Sequence, residues 1–120
     1  MRAQVIREPN RASTFDSKWE KEFWTRMELL RRSGNLVACW HKGYRFRIGT
    51  GSDRKGSQAS WYTPDVSTLN NEGELIHYDV KGFHREAAKV RIRAAAMLYP
   101  FQFIVATKGT DGNWEYEVYE

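Results

Sequence analysis

Two spacings of apolar residues follow one another along the chain, and each predicts a different kind of element. Between residues 17 and 33, apolar side chains recur every three or four positions, which predicts an amphipathic helix. These side chains are Trp19, Phe23, Trp24, Met27 and Leu30. Ser17 followed by Glu20 is the pattern of a capping box at the start of this helix, and Gly34 is a typical stop just beyond its end.

Alternation of apolar and polar residues predicts strands in most of the remaining chain, with one further helix. The predicted strands cover residues 36–48 with a bend at Gly43, 61–69, 74–81, 101–107 and 114–118, and an alanine-rich helix covers 84–99 before Pro100. The order of elements is α-β-β-β-α-β-β. This order predicts an α/β fold with a mixed central sheet flanked by helices.

Length and composition are those of a single domain. The chain has 120 residues, of which 41% are hydrophobic and 28% are charged, so one core is expected. Residues 1–16 are predicted to be a loose basic arm, and residues 17–120 to be the folded domain. No apolar run approaches the length of a membrane span, and the single Cys39 excludes an internal disulfide. A reducing, cytoplasmic location is therefore expected.

Charge is distributed unevenly along the chain. The formal net charge is +4, yet residues 1–60 contain 13 basic and 6 acidic side chains, and residues 61–120 contain 6 and 9. A basic surface beside a group of acids suits a polyanionic partner together with a hard metal ion. A solvated surface of mixed sign is the alternative interpretation.

The predicted hairpin over residues 61–81 carries the acids of greatest interest. A three-residue loop that ends at Gly73 would pair Asn70 with Glu74, and therefore Asp65 with Asp79. Directly opposite residues lie on the same face of a sheet, with Cβ atoms about 5 Å apart.

A four-residue loop would place Asp65 opposite Tyr78 instead. The three-residue loop is favoured because it gathers apolar side chains on one buried face. These are Tyr62, Val66, Ile76, Tyr78 and Val80.

Two carboxylates at this distance disfavour each other's ionisation, and a divalent cation would relieve the repulsion. Ligation by oxygen alone favours Mg²⁺, with Mn²⁺ as a substitute, over Zn²⁺. Lys81 lies two residues beyond Asp79 on the same face. Its ammonium group could position a water molecule and stabilise charge on a phosphate. The alternative is a surface ion pair between Asp79 and Lys81, beside an unrelated Asp65.

Four short blocks occur in a characteristic order. They are Ser17-Lys18-Trp19-Glu20, Tyr62-Thr63-Pro64-Asp65, Asp79-Val80-Lys81-Gly82-Phe83 and Tyr99-Pro100. Together they resemble the PD-(D/E)XK nuclease superfamily, and more narrowly the small phage and prophage endonucleases that are similar to phage endonuclease I and Holliday-junction resolvases. The resemblance implies a restriction-endonuclease-like αβββαβ core and a Mg²⁺-dependent endodeoxyribonuclease.

The resemblance also implies roles for individual residues. Asp65 and Asp79 would be metal ligands, the backbone carbonyl of Val80 a further ligand, and Lys81 the catalytic lysine. Glu20 matches an acid on the first helix that completes some of these sites. Glu20 could instead serve only the capping box, but it falls inside the apolar stripe of the helix, where an acid needs a partner.

The same resemblance suggests a structure-selective enzyme that cuts branched DNA. Two symmetric cuts need two active sites, so a homodimer is expected. The alternatives are a sequence-specific or DNA-end nuclease of restriction or repair type, and a non-catalytic nucleic-acid-binding module. No nucleotide cofactor is expected, because Gly49-Thr50-Gly51 lacks the Lys-Ser/Thr of a phosphate loop.

Basic residues at several points in the chain are candidates for DNA contacts. They are Lys18, Arg45, Arg47, Arg54, Lys55, His84, Arg85, Lys89 and Arg93. Arg85, Lys89 and Arg93 are spaced four residues apart and so share one face of the second helix. Ordinary solvated surface is the alternative for each of them.

Overall fold

The computed structural model describes residues 3–5, 15–49, 60–81 and 86–120. It contains two helices and eight strands within those ranges. In chain order they are β1 (Ala3–Val5), α1 (Lys18–Arg32), β2 (Ala38–His41), β3 (Tyr44–Gly49), β4 (Ser60–Tyr62), β5 (Val66–Leu69), β6 (Leu75–Lys81), α2 (Glu86–Leu98), β7 (Gln102–Lys108) and β8 (Trp114–Tyr119).

The larger sheet has five strands in the order β2-β5-β6-β7-β8. Neighbouring strands are antiparallel except β6 and β7, which are parallel. That exception follows from α2, since a parallel pair needs a crossover connection of a dozen or more residues. The predicted α/β fold with a mixed central sheet is confirmed. Strands β1, β3 and β4 form a second, antiparallel sheet.

The register predicted for the acidic hairpin is confirmed. Val66 lies opposite Tyr78, and the Asn70 N–H donates to the Glu74 carbonyl at 3.0 Å. Gly73 has a φ of 84°, the left-handed conformation that a three-residue loop requires at its last position. The local turn chemistry therefore determines which residues of β5 and β6 face each other.

The single strand predicted over residues 61–69 is wrong. The chain leaves the smaller sheet after Tyr62 and joins the larger one at Val66, with the buried Pro64 between them. Because proline has no backbone N–H to donate to a neighbouring strand, Pro64 interrupts the strand at this point. Tyr62 was predicted to lie on the same buried face as Val66. Because of the break, it does not. It packs in the other core cluster, with Phe103.

The five-stranded sheet is covered on both faces. One face packs against α1, and this core contains Phe23, Trp24, Met27, Cys39, Val66, Val80 and Ala106. The other packs against α2 and the smaller sheet, and this core contains Phe46, Tyr62, Ile92, Ala95, Tyr99, Phe103, Val105 and Tyr119. The polar face predicted for β6 is therefore buried beneath the second core, with His77 completely inaccessible to solvent.

The N-terminal residues differ from the loose arm predicted for them. Ala3–Val5 form β1, which pairs with β3 so that Ala3 lies opposite Phe46. Residues 1, 2 and 6–14 lie outside the described part. Among the described residues, neither helix is long and apolar enough to cross a membrane.

Candidate functional site

Asp65 lies where the chain passes between the two sheets, and its backbone and side chain are both held. Its Oδ2 accepts a hydrogen bond of 2.8 Å from the Val80 N–H, and its carbonyl accepts one of 2.9 Å from the Lys42 N–H. Only 8% of the residue is exposed. The carboxyl group is consequently fixed against β6, next to Asp79.

Asp79 is buried in β6, and one of its carboxylate oxygens lacks a hydrogen bond. Within the described part of the chain, Oδ2 of Asp79 accepts no hydrogen bond, although the residue is only 5% exposed. The Lys81 Nζ lies 3.4 Å from this oxygen, and the lysine side chain is partly exposed. The ammonium group of Lys81 therefore compensates the charge of this buried oxygen without forming a well-aligned hydrogen bond to it.

Glu20 lies on the packed face of α1, as the apolar stripe predicted. It is 1% exposed, and its backbone N–H donates to Ser17 Oγ at 3.1 Å, which caps the helix. The second half of a capping box is not formed. The Glu20 side chain accepts instead from the Asp16 N–H at 3.3 Å and from the Nε2 of His41. Its carboxylate is thus directed into the interior rather than toward the cap residue.

Asp16, Glu20 and Asp65 form the one group of three potential metal ligands found among the described residues. One ligand atom from each lies within 4.8 Å of the others. Of the predicted ligands, Glu20 and Asp65 belong to this group and Asp79 does not. The sequence reasoning did not identify Asp16. The available signal was its position directly before the N-cap Ser17, since a residue there reaches the same end of the helix as Glu20.

The carboxylates influence one another strongly. Burial raises the pKa of the Asp65 carboxyl group well above its usual range, and the charges of Asp79 and Glu20 raise that pKa further. The hydrogen bond from the Val80 N–H opposes this shift. Asp65 therefore lies within reach of the negative charge of both neighbours, and a cation beside it would be stabilised.

Two basic side chains of this site were not predicted. His41, at the end of β2, contacts Glu20 and packs against the rings of Phe15 and Trp24, with centroid separations of 4.4 and 5.9 Å. Lys42, the next residue, places its Nζ 2.8 Å from Asp16 and 3.8 Å from Glu20. Neither residue belongs to a recognisable motif, because only the packing of α1 against β2 brings them to the acids.

The candidate DNA contacts that the structure describes lie on three elements, α1, β3 and α2. The Lys18 ammonium lies 4.3 Å from the Trp19 ring centroid, the Arg45 guanidinium 4.2 Å from that of Trp61, and the Arg93 guanidinium 5.8 Å from that of Tyr119. Arg47 is exposed on β3 opposite Trp61, and Lys89 is partly buried on α2. Arg54, Lys55, His84 and Arg85 lie outside the described residues.

The site thus contains three buried carboxylates, one exposed carboxylate and two lysines, Lys42 and Lys81, at its edge. Such an arrangement can hold a hard cation and place positive charge beside an anionic substrate. No protein-family model, curated protein or solved structure matches this chain.

Proposed function

We propose that this protein is a Mg²⁺-dependent endonuclease that hydrolyses phosphodiester bonds in DNA. The observation that carries the proposal is the buried Asp65, whose carboxyl group is influenced by the charges of Asp79 on one side and Glu20 on the other, with Lys81 beside Asp79. Burying carboxylates close to one another costs folding free energy, and groups of this kind are concentrated at functional sites. The four sequence blocks that resemble PD-(D/E)XK nucleases supply these same residues.

The donor atoms fit a hard divalent cation. All side-chain candidates are carboxylate oxygens, which Mg²⁺ prefers, and the Val80 carbonyl belongs to the same part of β6. Burial and the charges of Asp79 and Glu20 raise the pKa of Asp65, and a cation bound there would favour its ionised form. When bound, the metal ion would supply Lewis-acid stabilisation of the charge that develops on the phosphate.

The protein's own side chains would share the remaining tasks. Asp65 and Asp79 hold the cation, and Glu20 completes the set from the opposite element. The partly exposed Lys81 is tied to Asp79 at 3.4 Å, so its ammonium group can orient a water molecule or pair with a phosphate oxygen at the rim. Restricting the lysine in this way lowers the entropy cost of positioning it for the reaction.

The fold is compatible with this proposal. The structure has the general α/β class, and an αβββαβ order is obtained from α1, β2, β5, β6, α2 and β7 only when β1, β3, β4 and β8 are set aside as additions. We further propose branched DNA as the substrate, a homodimer as the active form and the cytoplasm as the location. These three points rest on the resemblance alone.

The experiment is cleavage of a labelled four-way junction, a matched duplex and a single strand, each with Mg²⁺ and with EDTA. Wild type is compared with Asp79→Asn and with Glu72→Gln, which removes an exposed carboxylate from the hairpin turn. We expect paired symmetric cuts in the junction that are lost in EDTA and in Asp79→Asn, but retained in Glu72→Gln. A Mg²⁺-dependent rise in Tm should disappear in the same variant.

Other outcomes select the alternatives. Equal cutting of all three substrates would retain the nuclease and reject junction selectivity, and cutting at one duplex sequence would favour a restriction-type enzyme. DNA binding without cleavage in any condition would contradict the enzyme proposal and leave a nucleic-acid-binding module.

A further inference from the structure

Lys42 has an unusual backbone conformation. Its φ is 53°, and it is the single non-glycine residue with a positive φ in the ranges that the structure describes. The side chain of an ordinary residue crowds the backbone in this left-handed region, so the conformation is unfavourable outside glycine. The chain has Gly43 at the very next position, yet the strained conformation falls on the lysine.

The strained residue belongs to the acidic site. The Lys42 N–H donates to the Asp65 carbonyl at 2.9 Å, while its Nζ lies 2.8 Å from Asp16 and 3.8 Å from Glu20. Its side chain is 29% exposed, so the ammonium group is accessible from solvent as well as from the acids. Backbone strain persists where the surrounding structure requires a side chain in one position, and such residues cluster at functional sites.

We infer that Lys42 binds a phosphate of the DNA strand at the acidic site, as a second lysine beside Lys81. This inference rests on the proposed nuclease function and adds a substrate-binding residue to it. Asp16, the nearest partner of Lys42, has a side chain that is 72% exposed, and an ion pair with such a group is weak. A DNA phosphate can therefore compete with Asp16 for the ammonium group, because the exposed ion pair contributes little to holding it.

The competing explanation is structural. Lys42 could simply neutralise Glu20 and Asp65 in the folded protein, and then its loss would lower stability without altering contact with DNA. The two explanations are separated by the salt dependence of binding, because each ammonium–phosphate contact releases a counterion.

The variants are Lys42→Met, which removes the charge, and Lys42→Arg, which keeps it. Lys42→Gly and Lys42→Ala both remove the side chain, and only glycine relieves the strained backbone. Lys21→Met is the matched control, since Lys21 is exposed on α1. Affinity for junction and duplex DNA is measured against salt concentration in EDTA, kcat and KM are measured with Mg²⁺, and Tm is measured for every variant.

For Lys42→Met we expect the slope of log K against log salt to fall by about 1, and KM to rise about tenfold, with Lys42→Arg restoring both. Lys42→Gly should show the same loss of DNA affinity with a Tm above that of Lys42→Ala. If wild type binds DNA but does not cleave it, and the slope still falls, the phosphate contact is supported and the nuclease proposal fails.

The reverse pattern overturns the inference alone. If wild type cleaves DNA, and Lys42→Met has the same salt slope and KM as Lys21→Met, Lys42 serves folding and not the substrate. If wild type neither binds nor cleaves DNA, this inference and the proposed function both fail.

Discussion

The carboxylate of Asp65 accepts the hydrogen bond of the Val80 N–H, which a backbone carbonyl of a neighbouring strand would otherwise accept. The hydrogen-bonded pair of Asn70 and Glu74 determines which residues of β6 turn their N–H toward β5, and Val80 is one of them. Its partner would have been the carbonyl of Pro64, but the chain has already left the sheet there. Asp65 Oδ2 accepts the bond instead, at 2.8 Å. The break between β4 and β5 thereby fixes an acid beside Asp79.

Replacing Asp79 by asparagine should stabilise the protein when no divalent ion is bound. The charge of Asp79 raises the pKa of Asp65, so in the folded state Asp65 is harder to ionise than in the unfolded chain. This cost applies at high pH and disappears as pH falls through the folded-state pKa. We expect Asp79→Asn to raise the free energy of unfolding at pH 8 in EDTA, since one of the causes of the Asp65 shift is removed.

The measurement is urea unfolding of wild type, Asp79→Asn and the control Glu72→Gln at pH 8 and at pH 5. The difference in the free energy of unfolding between Asp79→Asn and wild type should be smaller at pH 5, where Asp65 is more often protonated. A variant that is less stable than wild type at both pH values would show that Asp79 stabilises the fold without a metal.

His77 should make the protein sensitive to acid. Its ring is completely buried, Nδ1 shares a hydrogen bond of 2.7 Å with Ser67 Oγ, and Nε2 has no hydrogen-bond partner among the described residues. The rings of Tyr44, Phe46, Phe101 and Phe103 surround it. Burial lowers the pKa of His77 to about 3.

Because this folded-state pKa is below the ordinary value, the unfolded chain takes up the proton first as pH falls. Stability from the neutral ring is complete above pH 6.5 and is lost from there down to pH 3. At pH 5 the loss is about 2 kcal/mol relative to pH 7. Urea unfolding from pH 7 to pH 4.5 should show this slope in wild type and a weaker one in His77→Phe. Parallel profiles for the two proteins would contradict the assignment.

Glu20 and His41 should be energetically coupled. Both side chains are buried and in contact, so removing either leaves the other polar group without its partner. We expect His41→Phe and Glu20→Leu each to lower the free energy of unfolding by about 2 kcal/mol. The effect of the double substitution should be smaller than the sum of the two single effects by about 1–2 kcal/mol, because the interaction between the two side chains is lost only once. Strict additivity in a double-mutant cycle would refute a direct interaction.

Cys39 should be unreactive in the folded protein. Burial, together with a hydrogen bond to Glu28, raises the pKa of its thiol to about 12. The thiolate, which is the reactive form, is therefore scarce at pH 8. Labelling with a chromogenic disulfide should be slow in buffer and rapid in 6 M guanidinium chloride. Fast labelling of the folded protein would indicate that β2 opens frequently.

Much of the local structure could be predicted from the sequence because its causes are local. The helix over 17–33 was confirmed within a residue at each end, with Ser17 as its cap. The hairpin register was confirmed because three residues and a left-handed Gly73 determine the pairing. Glu20 was predicted to lie on the packed face of α1, and it does.

Tertiary packing decided the composition of the site. A helical or alternating pattern states which face of an element is buried, but not which other element covers it. The sequence therefore indicated Asp65, Asp79 and Lys81 through one hairpin, whereas Asp16, His41 and Lys42 reach the acids only because α1 packs across β2 and β6. Likewise, the face of β6 that alternation marked as polar is buried, because the smaller sheet and α2 cover it. Covering of that kind depends on contacts between distant parts of the chain, and no local pattern encodes them.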